Sequence, residues 1–253
     1  EGTDLLAMLI DARDQPEPEG RGWGSGGEAP GDHTFDGAAM SDVQLRDEVM
    51  TLFLAGHETT ANALAWTFHL LAQNPAADAR MREEIAAVLG DRTPGAADVT
   101  KLAYTTRVFE ESMRLYPPAW LVARRALHDE PFGGFVVPKG TMVGVAPWAI
   151  HRHPAFWPEP LRFDPDRFLP ERAEGRPKYA YFPFGGGQRL CIGIHFAMME
   201  AVIILAMVAQ RVRLASVPGH PVVPQALVTL RPKHGIKMTL APAQPTTVPP
   251  PRF

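Results

Sequence analysis

The sequence predicts a mainly α-helical fold with small β-sheets, and three observations carry that prediction. A capping box, Ser41-Asp42-Val43-Gln44, opens a helical pattern that runs without proline to Asn74, just before Pro75. A second helical stretch, Leu102 to Tyr116, stops at Pro117-Pro118, and a third, Ile194 to Val208, is the most apolar run in the chain. The β pattern comes only in short apolar pieces beside turn residues, around Pro138-Lys139-Gly140 and Pro232-Lys233-His234-Gly235.

Bulk properties narrow the class. At 253 residues the chain has room for one large core or two small ones. With 45% hydrophobic and 21% charged residues it has the composition of a soluble globular protein. A net charge of −3 gives no reason to expect nucleic acid. One cysteine excludes an internal disulfide and is compatible with a reducing cytoplasm. The apolar run Ile194 to Val208 is interrupted by His195 and Glu200, so it is read as a buried helix and not a membrane span. No signal peptide opens the sequence, and a soluble, cytoplasmic location is the expectation.

Asp4 to Arg13 reads as a short amphipathic helix, and residues 15–39, rich in Pro, Gly and acid, as a flexible insertion loop. The long helix follows; about 32 residues at about 1.5 Å each would span roughly 48 Å. Its middle (Met50, Leu52, Phe53, Leu54, then Ala61, Ala63, Leu64, Ala65, Trp66) is apolar on nearly every face, which predicts burial. Into it falls Ala55-Gly56-His57-Glu58-Thr59-Thr60. Glycine and paired threonines are poor helix formers, and a glutamate there must be paired or wet. Local rules broken at one spot of a consistent helix point to a functional site. The plain alternative is that the threonine hydroxyls bond back to the preceding turn while Glu58 faces water.

Arg80 to Leu89 reads as a helix and Gly90 to Thr100 as its connection to the next one, on which Glu111 and Arg114 share a face. Phe135-Val136-Val137 and Thr141 to Val145 read as the two arms of a hairpin. His151 and His153 lack the further ligands a metal site needs. Residues 171–178 form a polar loop whose Arg172, Arg176 and Lys178 are either solvated or available to an acidic partner. Val222-Val223, Leu227 to Leu230 and Ile236 to Leu240 read as strands, and residues 241–253 as a disordered, Pro-rich tail.

Cys191 follows three consecutive glycines and precedes the apolar helix, so it sits just ahead of a helix N-terminus, where the dipole favours negative charge. The glycines permit φ > 0 and close approach of a flat ligand, Phe184 can shield the sulfur, and Arg189 can meet an anion. A thiolate in such a loop suits a soft metal, above all haem iron. Taken alone, a single cysteine reads as well as a small buried hydrophobe.

The fixed positions Phe184, Gly187, Arg189, Cys191 and Gly193 together resemble the haem-binding loop of the cytochrome P-450 superfamily. Ala55 to Thr60 is similar to its oxygen-binding helix, and Glu111-x-x-Arg114 followed by Phe163 to Phe168 resembles its Glu-x-x-Arg signature and the arginine that joins it. The resemblance covers Asp4 to Leu240 and implies a single cytochrome P-450 domain over residues 1–240, present as its C-terminal portion with the N-terminal half missing. It implies a thiolate-ligated haem b, with Cys191 as axial ligand of the iron and Arg189 and Arg125 on the propionates. Arg125 could instead pair with Asp129 or Glu130. It further implies that Glu58 and Thr59 manage protons, that Glu111, Arg114 and Arg167 form a structural network, and that Phe53, Ala55, Trp120, Leu121, Val122 and Val228 line the substrate pocket. The activity implied is a monooxygenase placing one atom of O2 into a small apolar substrate. Electrons would come from a ferredoxin or flavodoxin with an NAD(P)H reductase. A peroxide-using or isomerising haem-thiolate enzyme, and a truncated fragment unable to hold haem, are the alternatives.

Overall fold

The computed structural model describes residues 40–243; the helix expected over Asp4 to Arg13, the loop 15–39 and the tail beyond Ala243 lie outside them. The chain divides into two compact units, one ending at His57 and the other beginning at Glu58. The division falls inside the first described helix, α1 (Asp42–Gln73). Its start has the geometry the capping box predicts: the Ser41 amide donates to Gln44 Oε1 at 2.8 Å and the Gln44 amide to Ser41 Oγ at 3.2 Å.

Burial along α1 differs from expectation. Met50, Phe53 and Leu54 are 48%, 62% and 60% exposed, and the buried residues of this helix begin at Thr60. Apolar composition states which surface would gain from cover, not whether a neighbour supplies it.

In the unit from Glu58 onward, three further helices complete the core. Helix α2 (Pro75–Leu89) begins five residues before the expected Arg80, because Pro75 occupies the first helical position, where a missing N–H costs nothing. The connection after it is not irregular throughout: Ala96–Lys101 forms a 3₁₀ turn, held by a bidentate Arg92–Asp98 pair at 2.7 and 2.8 Å. Helix α3 (Ala103–Leu115) lacks a capping side chain of its own. Glu84 of α2 supplies one, accepting from the Tyr104 and Thr105 amides at 2.6 and 2.8 Å and from Thr105 Oγ1 at 2.7 Å. The short helices α4 (Pro147–Ile150) and α5 (Pro170–Ala173) precede α6 (Ile194–Arg211).

Helix α6 is apolar and long enough to cross a membrane by length and composition. Ala201, Val202, Leu205, Ala206 and Ala209 are nonetheless buried, in one cluster with Met81, Ile85 and Leu89 of α2, Val108, Phe109 and Met113 of α3, and Ala63, Leu64 and Leu71 of α1. Small residues at 201, 206 and 209 let the neighbouring backbones approach. Arg82 closes the end of α6 by donating to the carbonyls of Ala209 and Val212 at 2.5 and 3.1 Å.

The β structure is four two-stranded antiparallel sheets among the described residues. Strand β1 (Val122–Arg125) pairs with β4 (Met142–Val145), and β2 (Glu130–Phe132) with β3 (Phe135–Val137). The expected hairpin between Phe135–Val137 and Thr141–Val145 is therefore absent. Gly133 and Gly134, both at positive φ (56° and 85°), make the tight turn, so Phe135 folds back on Phe132. Strand β5 (Val212–Ser216), unexpected from the sequence, pairs with β8 (Met238–Pro242). Strand β8 runs past the expected end at Leu240, and the Ala243 amide still bonds to the Arg211 carbonyl at 2.9 Å, so the first tail residues are ordered by pairing. Strands β6 (Pro224–Ala226) and β7 (Leu230–Pro232) form a hairpin whose turn is Leu227–Thr229, a segment expected to be strand.

Candidate functional site

The frame of the site is a buried charge cluster. Glu111 and Arg114, three apart on α3, have no exposed side-chain surface, and the guanidinium grips the carboxylate through two bonds of 2.7 and 2.8 Å. Arg114 also donates to the carbonyls of His151, Pro160 and Arg162, at 2.8, 2.7 and 3.1 Å. Arg167 brings its Nε to 3.4 Å from Glu111 Oε1, and the Asp164 amide donates to the same oxygen at 2.9 Å. Burial pushes the Glu111 carboxyl above the ordinary range, opposed by the hydrogen bonds and charge of Arg114.

That cluster anchors the approach to the cysteine loop. His151, fully buried and bonded through its carbonyl to Arg114, accepts the Phe182 amide on Nε2 at 2.9 Å. Burial, then the nearby Arg114 charge, pulls its imidazole down to about 3, so it is neutral at physiological pH. Buried Trp157 donates from Nε1 to the Ala180 carbonyl at 3.2 Å, and Arg114 and Arg176 lie over its ring at 5.0 and 4.0 Å.

From Phe182 the chain turns sharply. Gly185 and Gly187 take positive φ (76° and 69°), where a Cβ would be strained. A 3₁₀ turn over Gly187–Arg189 follows, and the Cys191 amide donates back to the Phe184 carbonyl at 3.0 Å. Gly193 is the N-cap of α6, and a Cβ there would stand 3.8 Å from the Cys191 sulfur. No side chain caps α6, so the first N–H groups of an 18-residue helix face the end where the thiol lies. Cys191 is exposed, and so are its chain neighbours Leu190 and Ile192 and, on the first turn of α6, Phe196, at 48%, 85% and 62%. Phe184 is half-buried against the core. A fully buried hydrophobic cysteine, the plain alternative, is not what the fold builds.

Arg189, on the 3₁₀ turn, and Arg125, on β1, are both exposed, and neither makes an ion pair or side-chain hydrogen bond among the described residues. Asp129, a possible partner for Arg125, instead accepts the Lys139 amide at 2.8 Å. Of the basic residues at 171–178, Arg172 pairs with Asp164 at 3.0 Å and Arg176 is half-buried over Trp157 and Phe168, so that segment is less a solvated loop than expected.

On α1, Glu58 is exposed, Thr59 half-buried and Thr60 buried. Glu58 Oε1 accepts from Thr229 Oγ1 at 2.6 Å. Of the residues expected to line a pocket, Phe53 and Ala55 are exposed on α1, and Phe53 stacks on His57 at 5.9 Å. Trp120 is half-buried and donates from Nε1 to the Leu227 carbonyl at 2.8 Å; Leu121 is exposed, Val122 half-buried opposite Val145, and Val228 is 92% exposed at the tip of the β6–β7 turn.

The sequence model of the cytochrome P450 family matches residues 29–240. The chain belongs to the cytochrome P-450 family. It is 48% identical over 194 residues to cyclooctatin synthase of Streptomyces melanosporofaciens, which covers 77% of this chain and 42% of the relative. It is 42% identical over 188 residues to cyclooctat-9-en-7-ol 5-monooxygenase of the same organism, covering 74% of this chain and 41% of that one. Among solved structures, the haem domain of cytochrome P-450DA superposes with a TM-score of 0.77 at 34% identity, over 84% of this chain and 47% of that one. The chain thus spans less than half the length of the curated relatives it matches.

Three contacts of this cytochrome P-450 chain carry no motif in the sequence: His151 accepts the Phe182 amide, Glu84 caps α3 from α2, and Thr229 reaches Glu58 from 171 positions away. No local signal marks the last pair; only the clamping of the β6–β7 turn brings it together.

Proposed function

We propose that this chain is the cysteine-ligand portion of a haem-thiolate monooxygenase acting on a small apolar substrate. The observation that carries the reading is the exposed Cys191 thiol, held just ahead of α6 on a loop that needs glycine at 185 and 187, with exposed Leu190 and Ile192 beside it in the chain. These residue types suit a flat, apolar group with a soft metal at its centre and acidic edges: the thiol as donor, exposed Leu190, Ile192 and Phe196 as apolar contacts, and the uncommitted Arg125 and Arg189 for carboxylates. A thiolate-ligated haem b has those features. When bound, haem supplies the activation of O2, one oxygen atom passing to a C–H bond and the other leaving as water at the expense of two electrons and two protons.

The chain's own residues do the rest. Cys191 Sγ would bind the iron, Gly187 and Gly193 leave the backbone beside it free of side chains, and the half-buried Phe184 would screen the sulfur from water. Glu58 and the Thr59 hydroxyl hold and pass the protons, the carboxylate being fixed by Thr229. Trp120, Leu121, Val122 and Val228 offer the substrate an apolar surface; the names of the two Streptomyces relatives support an apolar, ring-containing compound. A separate ferredoxin or flavodoxin, reduced from NAD(P)H, delivers the electrons, and the protein is cytoplasmic.

Labelled oxygen tests the reading. Product formed under ¹⁸O2 carries one labelled atom, and Thr59→Ala keeps consuming reductant while losing most of its product. Product labelled from water, or formed with peroxide alone at the same yield in Thr59→Ala, contradicts it.

A further inference from the structure

The β6–β7 turn reaches Glu58. Thr229, 6% exposed, donates its hydroxyl proton to Glu58 Oε1 at 2.6 Å and accepts from Asn62 Nδ2 at 3.1 Å. The direction of this chain follows from the chemistry: a carboxylate only accepts, so the Thr229 proton points to Glu58, and the lone pair left over takes an N–H of Asn62. Asn62 lies one helical turn after Glu58, so one hydroxyl is gripped from two levels of α1.

The turn itself is clamped. The Leu230 amide donates to the Pro118 carbonyl at 2.9 Å, and Trp66 Nε1 of α1 donates to the Leu230 carbonyl at 3.0 Å. Trp120 Nε1 holds the Leu227 carbonyl at 2.8 Å, and the Leu227 amide closes on the Thr229 carbonyl at 3.1 Å. Between those fixed points stands Val228, 92% exposed. A rigid turn therefore presents one apolar side chain outward and, at the next residue, one hydroxyl inward to the acid.

We infer that Thr229 is a positioning residue for Glu58, setting the orientation of its carboxylate, and that the Leu227–Thr229 turn links that orientation to whatever presses on Val228. What Glu58 then does rests on the monooxygenase reading above; the hold of Thr229 on Glu58 does not. Without the hydroxyl, an exposed glutamate returns to its free rotamers, and the carboxylate oxygens that would take up and pass a proton are no longer aimed.

Two measurements on the haem-loaded protein decide it. In the first, which needs no turnover, Thr229→Val, Glu58→Ala and the double variant are compared by denaturant unfolding. An interaction of about five- to tenfold in the unfolding equilibrium constant is expected, and additive single effects overturn the proposal. In the second, product per NAD(P)H consumed is measured for Thr229→Val and Thr229→Ser. Valine lowers that yield about tenfold while serine, which keeps the hydroxyl, stays close to the parent. An unchanged yield in Thr229→Val, with stability alone reduced, makes the contact merely structural and overturns the proposal. If the parent forms no product from O2, the monooxygenase reading fails in the parent itself, and the unfolding cycle alone decides whether Thr229 holds Glu58.

Discussion

Replacing Arg114 by methionine removes the centre of the buried cluster at nearly constant volume. Arg114 makes five hydrogen bonds, two to Glu111 and one each to the carbonyls of His151, Pro160 and Arg162, with its side chain wholly out of solvent. Its loss leaves the Glu111 carboxylate buried with only Arg167, at 3.4 Å, and the Asp164 amide for company. Breaking one side of a buried pair costs roughly 3–5 kcal/mol, and the His151 and Pro160 carbonyls left without their donor put Arg114→Met near the upper end of that range, the Arg162 carbonyl keeping Arg167 at 3.5 Å. Against a typical total of about 5–15 kcal/mol this is a large fraction. At about 2–4 °C per kcal/mol for a chain of this size, the melting temperature falls by roughly 10–20 °C. The assay is thermal and urea unfolding followed by far-ultraviolet circular dichroism, with Glu111→Leu/Arg114→Met as companion; removing both charges recovers part of the loss. The pH dependence adds a sign. In the variant the buried Glu111 titrates above its unfolded value, so its penalty is greatest when ionised and shrinks as pH falls and the carboxyl protonates. Destabilisation under about 1 kcal/mol, or a deficit that grows as pH falls, refutes the claim that this pair carries the frame.

Two further perturbations test the supports of the site. His151 has its folded-state pKa lowered to about 3 from an ordinary 6.5, so the unfolded chain binds more protons between those values. Stability is therefore full above about pH 6.5 and declines toward pH 3 by at most about 1.4 kcal/mol per pH unit; a urea titration of His151→Gln against the parent shows a shallower slope over that window. Glu84→Ala removes the acceptor for two amides and one hydroxyl at the start of α3, and a loss of about 2 kcal/mol in unfolding free energy is expected, with Glu84→Gln recovering part of it.

Much of the fold was legible where the signal is local. Ser41 and Gln44 cap α1 because both partners lie within one turn, and Glu111 and Arg114 meet because three residues of helix place them on one face. The partner of Phe135–Val137 was misread because two glycine turns flank that strand; Gly133-Gly134 wins by giving two successive residues at positive φ, as a two-residue hairpin requires. Strand β5 was missed because it follows the apolar helix without a break: the α6 C-cap, Val212, is also its first residue. Burial of Met50, Phe53 and Leu54 was misjudged because hydrophobicity describes a residue's preference and says nothing of whether a neighbour is there to meet it. The Thr229–Glu58 contact depends on where a distant hairpin docks, and no spacing rule encodes that.

The central claim, that Cys191 is a haem-iron ligand, is tested most directly by the absorption spectrum of the haem-loaded protein after reduction and addition of carbon monoxide. A strongly red-shifted Soret band that is lost in Cys191→Ala is the predicted result. A Soret band at the same position in protein and variant would contradict it, since the thiol would then have no part in holding the iron.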